Sequence, residues 1–395
     1  MPFAIYVLAA VNIAVGTQSF VFSGLLSELA ADLNVTVGTA GLLVSASTIV
    51  YAVLSPFTVA LVANRERRSV LVSSLTILGL CNAIAAFAPS FRFLLAARLA
   101  GGLAMAFVGT LASASVPLLV EPQVRGRAFA IVIGGMTVAL VLGVPVGSVV
   151  GGAFGWRATF AYAAFVCLVC IVLLAWGMPR VRPEAAVGPV VAALFRNHSI
   201  MRTLALTTIG FTSAFVIIPF LGPILQKLTG LQGAGIGGLQ AFVGLGSFAG
   251  LAIGGIAADR RLHRAGLALS FLLMAVTALL YAYELDAPRQ ATSYLAAAFL
   301  VFLLSVSLFP VIPINLSQLS QLAGPATPVA LAVNGSLMSM GQGLGAIIGG
   351  RIGDTSGLVW LSIAAAALSV LALTVAISSR AMPTAAARRP GESRA

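Results

Sequence analysis

Residues 128–178 read AFAIVIGGMTVALVLGVPVGSVVGGAFGWRATFAYAAFVCLVCIVLLAWGM. Two apolar runs, 128–150 and 158–178, are separated by a short joint whose one charge is Arg157. Arg125 and Arg127 stand before the first run, and Arg180 and Arg182 stand after the second. Each run is long enough to cross a hydrocarbon core about 30 Å thick. Lipid offers the backbone no hydrogen-bond partner, so each run must be helical. The basic flanks then place both ends of this hairpin on one side of a bilayer, following the positive-inside bias.

The rest of the chain repeats that pattern. Of its 395 residues, 60% are hydrophobic and only 8% are charged, against about 25% charged in a typical soluble domain. Apolar runs predict twelve membrane helices, at 4–26, 38–62, 69–88, 93–119, 128–150, 158–178, 203–225, 235–257, 266–283, 293–317, 329–350 and 358–378. The first starts near Phe3 without a basic leader or a cleavage site, so it reads as a retained helix. Sixteen of the 22 basic residues fall in alternate connectors on one side. This predicts a multi-pass inner-membrane protein with both termini cytoplasmic, and it argues against nucleic acid as the reason for the net charge of +12. Cys81, Cys167 and Cys170 lie within apolar runs, while His198 and His263 stand far away. No metal site, cofactor or catalytic constellation is expected, and an enzyme is not indicated.

The longest connector is basic, contains Pro183 and Pro189, and divides the chain near its middle. The expected organisation is an N-terminal six-helix bundle (1–180), a cytoplasmic linker (181–202), a C-terminal six-helix bundle (203–380) and a disordered cytoplasmic tail (381–395). The halves echo each other. Ala63-Asn64-Arg65 follows the second helix as Ala258-Asp259-Arg260 follows the eighth, and Gly143, Gly147, Gly151 and Gly152 in the fifth match Gly341, Gly345, Gly349 and Gly350 in the eleventh. A doubled bundle with its site between the halves is a known transporter architecture.

Four segments then carry a family resemblance: Met1-Pro2-Phe3-Ala4-Ile5-Tyr6 with Ala30-Ala31-Asp32-Leu33; Ala40-Gly41-Leu42-Leu43-Val44-Ser45; Arg98 with Gly102; and Gly143-Val144-Pro145-Val146-Gly147 followed by Gly151 and Gly155-Trp156-Arg157-Ala158-Thr159-Phe160. Together they resemble the drug-proton antiporter branch of the major facilitator superfamily, including chloramphenicol and arabinose exporters. The resemblance implies an all-α integral membrane fold of twelve helices in two pseudo-symmetric bundles. It also implies that Gly143, Pro145, Gly147 and Gly151 form the antiporter motif, with a gating role. A cytoplasmic latch is expected from Asn64, Arg65, Arg68, Asp259 and Arg260, although Asn64 replaces the family's aspartate.

An ionisable side chain at bilayer depth is a functional hypothesis by default, and Arg98 is the clearest. None of the ten acids falls in the middle of a predicted helix, and Ser19 stands where many relatives have an acid. A proton antiporter needs a group that titrates during its cycle. The candidates for coupling are Glu28, Asp32 and Arg98. In the implied architecture the first, fourth, seventh and tenth helices line the substrate cavity with Asn12, Gln18, Ser19, Arg98, Met105, Phe211, Phe215 and Asn315, joined by Asn334 and Gln342 from the eleventh. Such a lining suits a small amphiphilic compound. The expectation is a monomeric exporter of a drug or of a sugar- or nucleoside-like metabolite, driven by proton antiport. An uncoupled facilitator or uptake carrier is the alternative.

Overall fold

The computed structural model describes residues 1–62, 64–182, 196–287 and 292–378. Ten helices are long and apolar enough to cross a membrane; with α1 and the interrupted α5 they make twelve passes. In the first half these are α1 (Phe3–Phe20, continued by a 3-10 turn at Ser23–Leu25 into Leu26–Asp32), α2 (Val37–Leu61), α3 (Arg67–Ala86), α4 (Phe91–Ala114), α5 (Arg125–Val138, then Val144–Phe154) and α6 (Trp156–Gly177). The second half holds α7 (His198–Ile217, then Leu221–Thr229), α8 (Ala234–Asp259), α9 (His263–Asp286), α10 (Tyr294–Leu308, then Val311–Ala323), α11 (Thr327–Thr355) and α12 (Leu358–Ile377). Helix α7 starts at His198, inside the segment expected to be linker; residues 183–195 of that linker and the tail lie outside the described residues.

Proline explains the interruptions. It removes a backbone donor and clashes with the carbonyl four residues earlier. Helix α5 absorbs Pro145 by widening into a π turn at Ala139–Gly143, α7 tightens to a 3-10 turn at Ile218–Phe220 around Pro219, and α10 breaks at Pro310. The break in α10 has no counterpart in the expected continuous run 293–317, because an apolar run of that length does not show where its backbone yields.

The two halves are packed alike. In the first, α1 packs on α5, α2 on α4, α3 on α6 and α3 on α4; in the second, α7 packs on α11, α8 on α10, α9 on α12 and α9 on α10. Adding six to each helix of the first set gives the second. Gly155 and Gly357, at φ +82° and +90°, make the corresponding turns into α6 and α12. The outer surface is apolar, with Trp176 and Phe87 at 88% and 84% exposure, as lipid requires.

An even number of passes leaves both ends of the chain at one end of the body, here the terminal end; the opposite is the far end. The glycine rows act within each bundle. A methyl group on Gly147 would lie 2.1 Å from the Val21 carbonyl oxygen, and one on Gly151 would overlap Leu25, so α5 rides directly on α1. Gly341, Gly345 and Gly349 put α11 equally close to the α7 carbonyls of Thr208, Thr212 and Val216. Small residues permit this approach, since lipid gives helices no hydrophobic reason to associate.

Between bundles, the contacts gather at the far end and along α2–α11. Gly38 of α2 meets Gly350 of α11, Gly41 meets the Phe220 ring, and Gly222 of α7 meets the Gly24 carbonyl of α1. The α2–α11 seam continues to a hydrogen bond between the Ser55 and Ser336 hydroxyls, 2.7 Å apart. From Gly38 to Ser55 it runs about 25 Å at 1.5 Å per residue.

Candidate functional site

Arg98 is 1% exposed and is held inside the first bundle by three acceptors. Its Nε donates to the Leu43 carbonyl at 3.2 Å, Nη1 to the Gln18 carbonyl at 2.6 Å and Nη2 to Ser47 Oγ at 2.7 Å. The guanidinium lies 4.7 Å from the centre of the Phe22 ring. Glycine neighbours make this reach possible. A Cβ on Gly102 would sit 2.7 Å from the Ser47 carbonyl oxygen, and one on Gly101 would sit 2.8 Å from Gln18 Nε2. The Arg98–Gly102 spacing is therefore a device for bringing α4 onto α2 while a charge bridges them.

The Gly-Trp-Arg-x-x-Phe segment completes the same core. Phe160 stacks on Phe22, with centroids 5.3 Å apart, and Trp156 meets Phe160 edge-on at 5.9 Å. Asp32 Oδ2 accepts from Trp156 Nε1 at 3.0 Å and from Arg157 Nη1 at 2.6 Å, and Arg157 also donates to the Ala88 carbonyl. The Arg157 hydrogen bond, then that of Trp156, holds the Asp32 carboxyl below its usual range. Among the described residues this is the one salt bridge. Asp32 is thus engaged at the far-end surface with Arg157, and the groups that contact Arg98 are other ones. Glu28 stands one turn before Asp32, with its carboxyl pushed up by partial desolvation.

The remaining predicted cavity residues fall into small groups. Asn12 Nδ2 donates to the Val132 carbonyl, tying α1 to α5. Ser19 Oγ lies 3.4 Å from Met105 Sδ, between α1 and α4. Phe211 and Phe215 stack along α7 at 6.2 Å, against Gly341 and Gly345. Asn315 and Asn334 are brought together by a residue that the sequence reading did not select. Thr207 Oγ1 donates to Asn334 Oδ1 at 2.7 Å and accepts from Asn315 Nδ2 at 2.9 Å. Amide oxygens of Gln18, Asn315, Gln318 and Gln342 are buried without a donor. Gln318, one turn from Asn315 on α10, was also missed; an α-helical i, i+3 spacing from an asparagine is the signal that finds it.

The proposed latch residues are used differently. Arg68 donates to the carbonyls of Met178, at 3.3 Å, and Ala175, capping the C-terminal end of α6 in its own bundle. Arg264 caps the end of α12 in the same way through the Ile377 carbonyl. A cation there complements the helix dipole. Asp259 closes α8 and Arg260 is its C-cap; Asn64 and Arg65 lie in the turn before α3. Among the described residues none of these makes a salt bridge across the bundles. At the far end, by contrast, Asp354 of α11 reaches α2, taking the Gly38 amide at 2.9 Å and the Thr36 hydroxyl at 2.5 Å.

Comparison with known proteins agrees with this architecture. The family model described as Major Facilitator Superfamily matches residues 8–328. A chloramphenicol resistance protein of Streptomyces lividans is 36% identical over 266 residues, 66% of this chain and 68% of that one. A purine ribonucleoside efflux pump of Salmonella paratyphi C is 24% identical over 389 residues, 96% of this chain and 94% of the pump. Among solved structures, a bacterial homologue of the human lysosomal transporter Spinster, inward-facing and occupied, superimposes with a TM-score of 0.76 at 15% identity, covering 94% of this chain and 95% of that one. That likeness gives the fold, and the family match along most of the length gives the kinship. This chain, a multi-pass body of two like six-helix bundles with an arginine buried inside the first, belongs to the Major Facilitator Superfamily.

Proposed function

We propose that the chain exports an uncharged, hydroxyl- or amide-bearing small molecule by alternating access between its two bundles. The observation that carries this reading is the Thr207–Asn315–Asn334 group, which presents neutral donors and acceptors from three helices of the second bundle. With Gln318 and Gln342 nearby in sequence on α10 and α11, it offers a polar solute hydrogen bonds without a fixed charge. Buried amides of this kind favour ligands that pair with them and disfavour apolar ones that leave them unmatched. The chloramphenicol resistance and purine ribonucleoside efflux relatives support a drug of the amphenicol type or a nucleoside- or sugar-like metabolite as cargo.

The excess of basic residues on the side of the termini supports a cytoplasmic terminal end, so the closed far end faces out. Proton antiport is the proposed drive. Glu28 is the better placed of the two first-helix acids, because Asp32 is committed to Arg157; Arg98 would act with it electrostatically. The reading takes the carrier as a monomer without cofactor. The absence of an acid at Ser19 favours a second reading, an uncoupled facilitator or an uptake carrier.

Everted vesicles containing the protein, loaded with a pH gradient and challenged with amphenicols, nucleosides and sugars, separate these readings. Collapse of the gradient by one compound establishes antiport and its substrate class. Equilibration of labelled solute without proton movement establishes facilitation. No transport of any kind would remove the export reading.

A further inference from the structure

We infer that Asp354 is a latch between the two bundles, whose carboxylate holds the far end closed. The inference rests on the alternating-access reading above and adds to it a residue that holds the gate.

Asp354 lies in the last turn of α11, yet its two carboxylate oxygens are spent on the other bundle. Oδ1 accepts the backbone N–H of Gly38 at 2.9 Å, and Oδ2 accepts the Thr36 hydroxyl at 2.5 Å. Gly38 lies in the first turn of α2, whose unpaired N–H groups and positive dipole end favour an anion. The helices meet here at their closest. A methyl on Gly38 would lie 2.1 Å from the Gly350 carbonyl oxygen, and one on Gly350 2.6 Å from the Gly38 carbonyl oxygen. The carboxylate therefore sits at the exposed end of a tightly packed seam.

The Thr36 hydroxyl has one proton and two acceptors in reach, Asp354 Oδ2 at 2.5 Å and Thr39 Oγ1 at 2.8 Å, and it takes the Thr39 amide N–H at 3.1 Å. A carboxylate draws that proton across the seam more strongly than a neutral hydroxyl does, and its charge is attracted to the α2 terminus.

The surroundings leave the contact to this group. Of the helices packed on α11, α2 carries only Tyr51 as a titratable side chain and α12 carries none. Helix α10 carries Tyr294, and α7 has His198 and Arg202 at the terminal end and Lys227 in its far piece. On α11 itself, Arg351 stands one turn before Asp354. No salt bridge joins Asp354 to any of them among the described residues.

Spin labels at Phe87→Cys and Gln232→Cys, with the three native cysteines replaced by alanine, report the far-end separation of the bundles in the full chain in nanodiscs. The wild type is expected to give a mainly short distance. Asp354→Asn should shift the population toward the longer distance by about fivefold, as expected for a charge-assisted bond at an exposed site. Thr36→Val, which leaves the acid in place, should shift the same population by a smaller factor and guards against a variant that fails to fold. Wild-type distances in both Asp354→Asn and Thr36→Val would overturn the latch. A shifted population in Asp354→Asn of a chain that moves no solute would instead remove the transport reading and leave the latch standing.

Discussion

The ring of Phe22 covers the guanidinium of Arg98 at 4.7 Å, and Phe160 stacks on the same ring at 5.3 Å. A buried cation is costly, and truncating the partners of such a group commonly costs more than the pair contributes. Here the charge is shared among two carbonyls, one hydroxyl and one aromatic face, drawn from α1 and α2. The aromatic column then continues through Trp156 to Asp32 at the far end. The motif residues of α4 and α6 are thus parts of one packed column.

Arg98→Ala should therefore destabilise the first bundle by about 2–4 kcal/mol, because it strands buried acceptors in addition to losing a charge. Arg98→Lys should recover only part of this, since an ammonium cannot fork to three acceptors on separate chain segments. Phe22→Leu, which keeps the apolar bulk but removes the ring face, should cost about 1 kcal/mol for the lost cation–π contact together with the lost stacking on Phe160. Thermal unfolding of purified variants in one detergent checks the order, which is Ala worst, then Lys, then Leu.

Two glycines in equally tight places should respond differently. Gly147 abuts Val21 within one bundle, and Gly38 abuts Gly350 across the two. Overpacking such a contact costs about 1–3 kcal/mol. Gly147→Ala should spend that cost on stability and lower the unfolding temperature at any conformation. Gly38→Ala can relieve its clash by parting the bundles, so its unfolding temperature should fall less while a far-end cysteine becomes more reactive to a membrane-impermeant maleimide. Equal losses of stability with no change in labelling would mean that the α2–α11 seam does not open.

Much of this body is legible in the sequence. Apolar length and basic flanks place every pass, because the bilayer imposes both, although α1, α7, α10 and α11 overrun an expected boundary by about five or six residues. The internal repeat in the glycines is visible because close helix contact admits few other residues. What stays hidden is what depends on distant pairing. Nothing near Asp354 in the chain suggests Thr36 and Gly38, more than three hundred residues away, and Thr207 looks like any helical threonine until Asn315 and Asn334 converge on it. Asp32 reads as a candidate proton carrier at the end of the first helix. Only the turn at Gly155 brings Trp156 and Arg157 onto it.

The amide group on α7, α10 and α11 offers a test of substrate charge. Asn334→Asp preserves the acceptor used by Thr207 but adds a negative charge to a neutral lining. Transport of uncharged solutes should fall by roughly tenfold, since burying the carboxylate costs on the order of 1.4 kcal/mol or more without a cation to match it. Lipophilic cations such as ethidium should gain transport over wild type. Thr207→Val, which removes the shared hydroxyl, should raise KM for neutral solutes without admitting cations. A variant Asn334→Asp that handles neutral solutes as wild type does would place the group away from the cargo.

The Asp32–Arg157 pair makes a pH prediction with a definite sign. Hydrogen bonds from Arg157 and Trp156 lower the folded-state value of Asp32 below that of the unfolded chain. The unfolded state therefore binds the proton more tightly, and stability must rise with pH across that interval. The stabilisation is present above the unfolded value, near 3.9, and is lost as pH falls through the lower folded value. Both side chains are nearly half exposed, at 44% and 47%, so solvent screening limits the effect to at most about 1 kcal/mol. Asp32→Asn should remove the acid-side part of this dependence while keeping an acceptor for Trp156 Nε1. Arg157→Gln should remove less of it, since the Trp156 bond to Asp32 remains, while lowering stability at every pH by freeing the Ala88 carbonyl. Unfolding temperatures from about pH 3 to pH 7 in moderate salt are the measurement; parallel curves for wild type and Asp32→Asn would mean that the pair adds nothing to the fold.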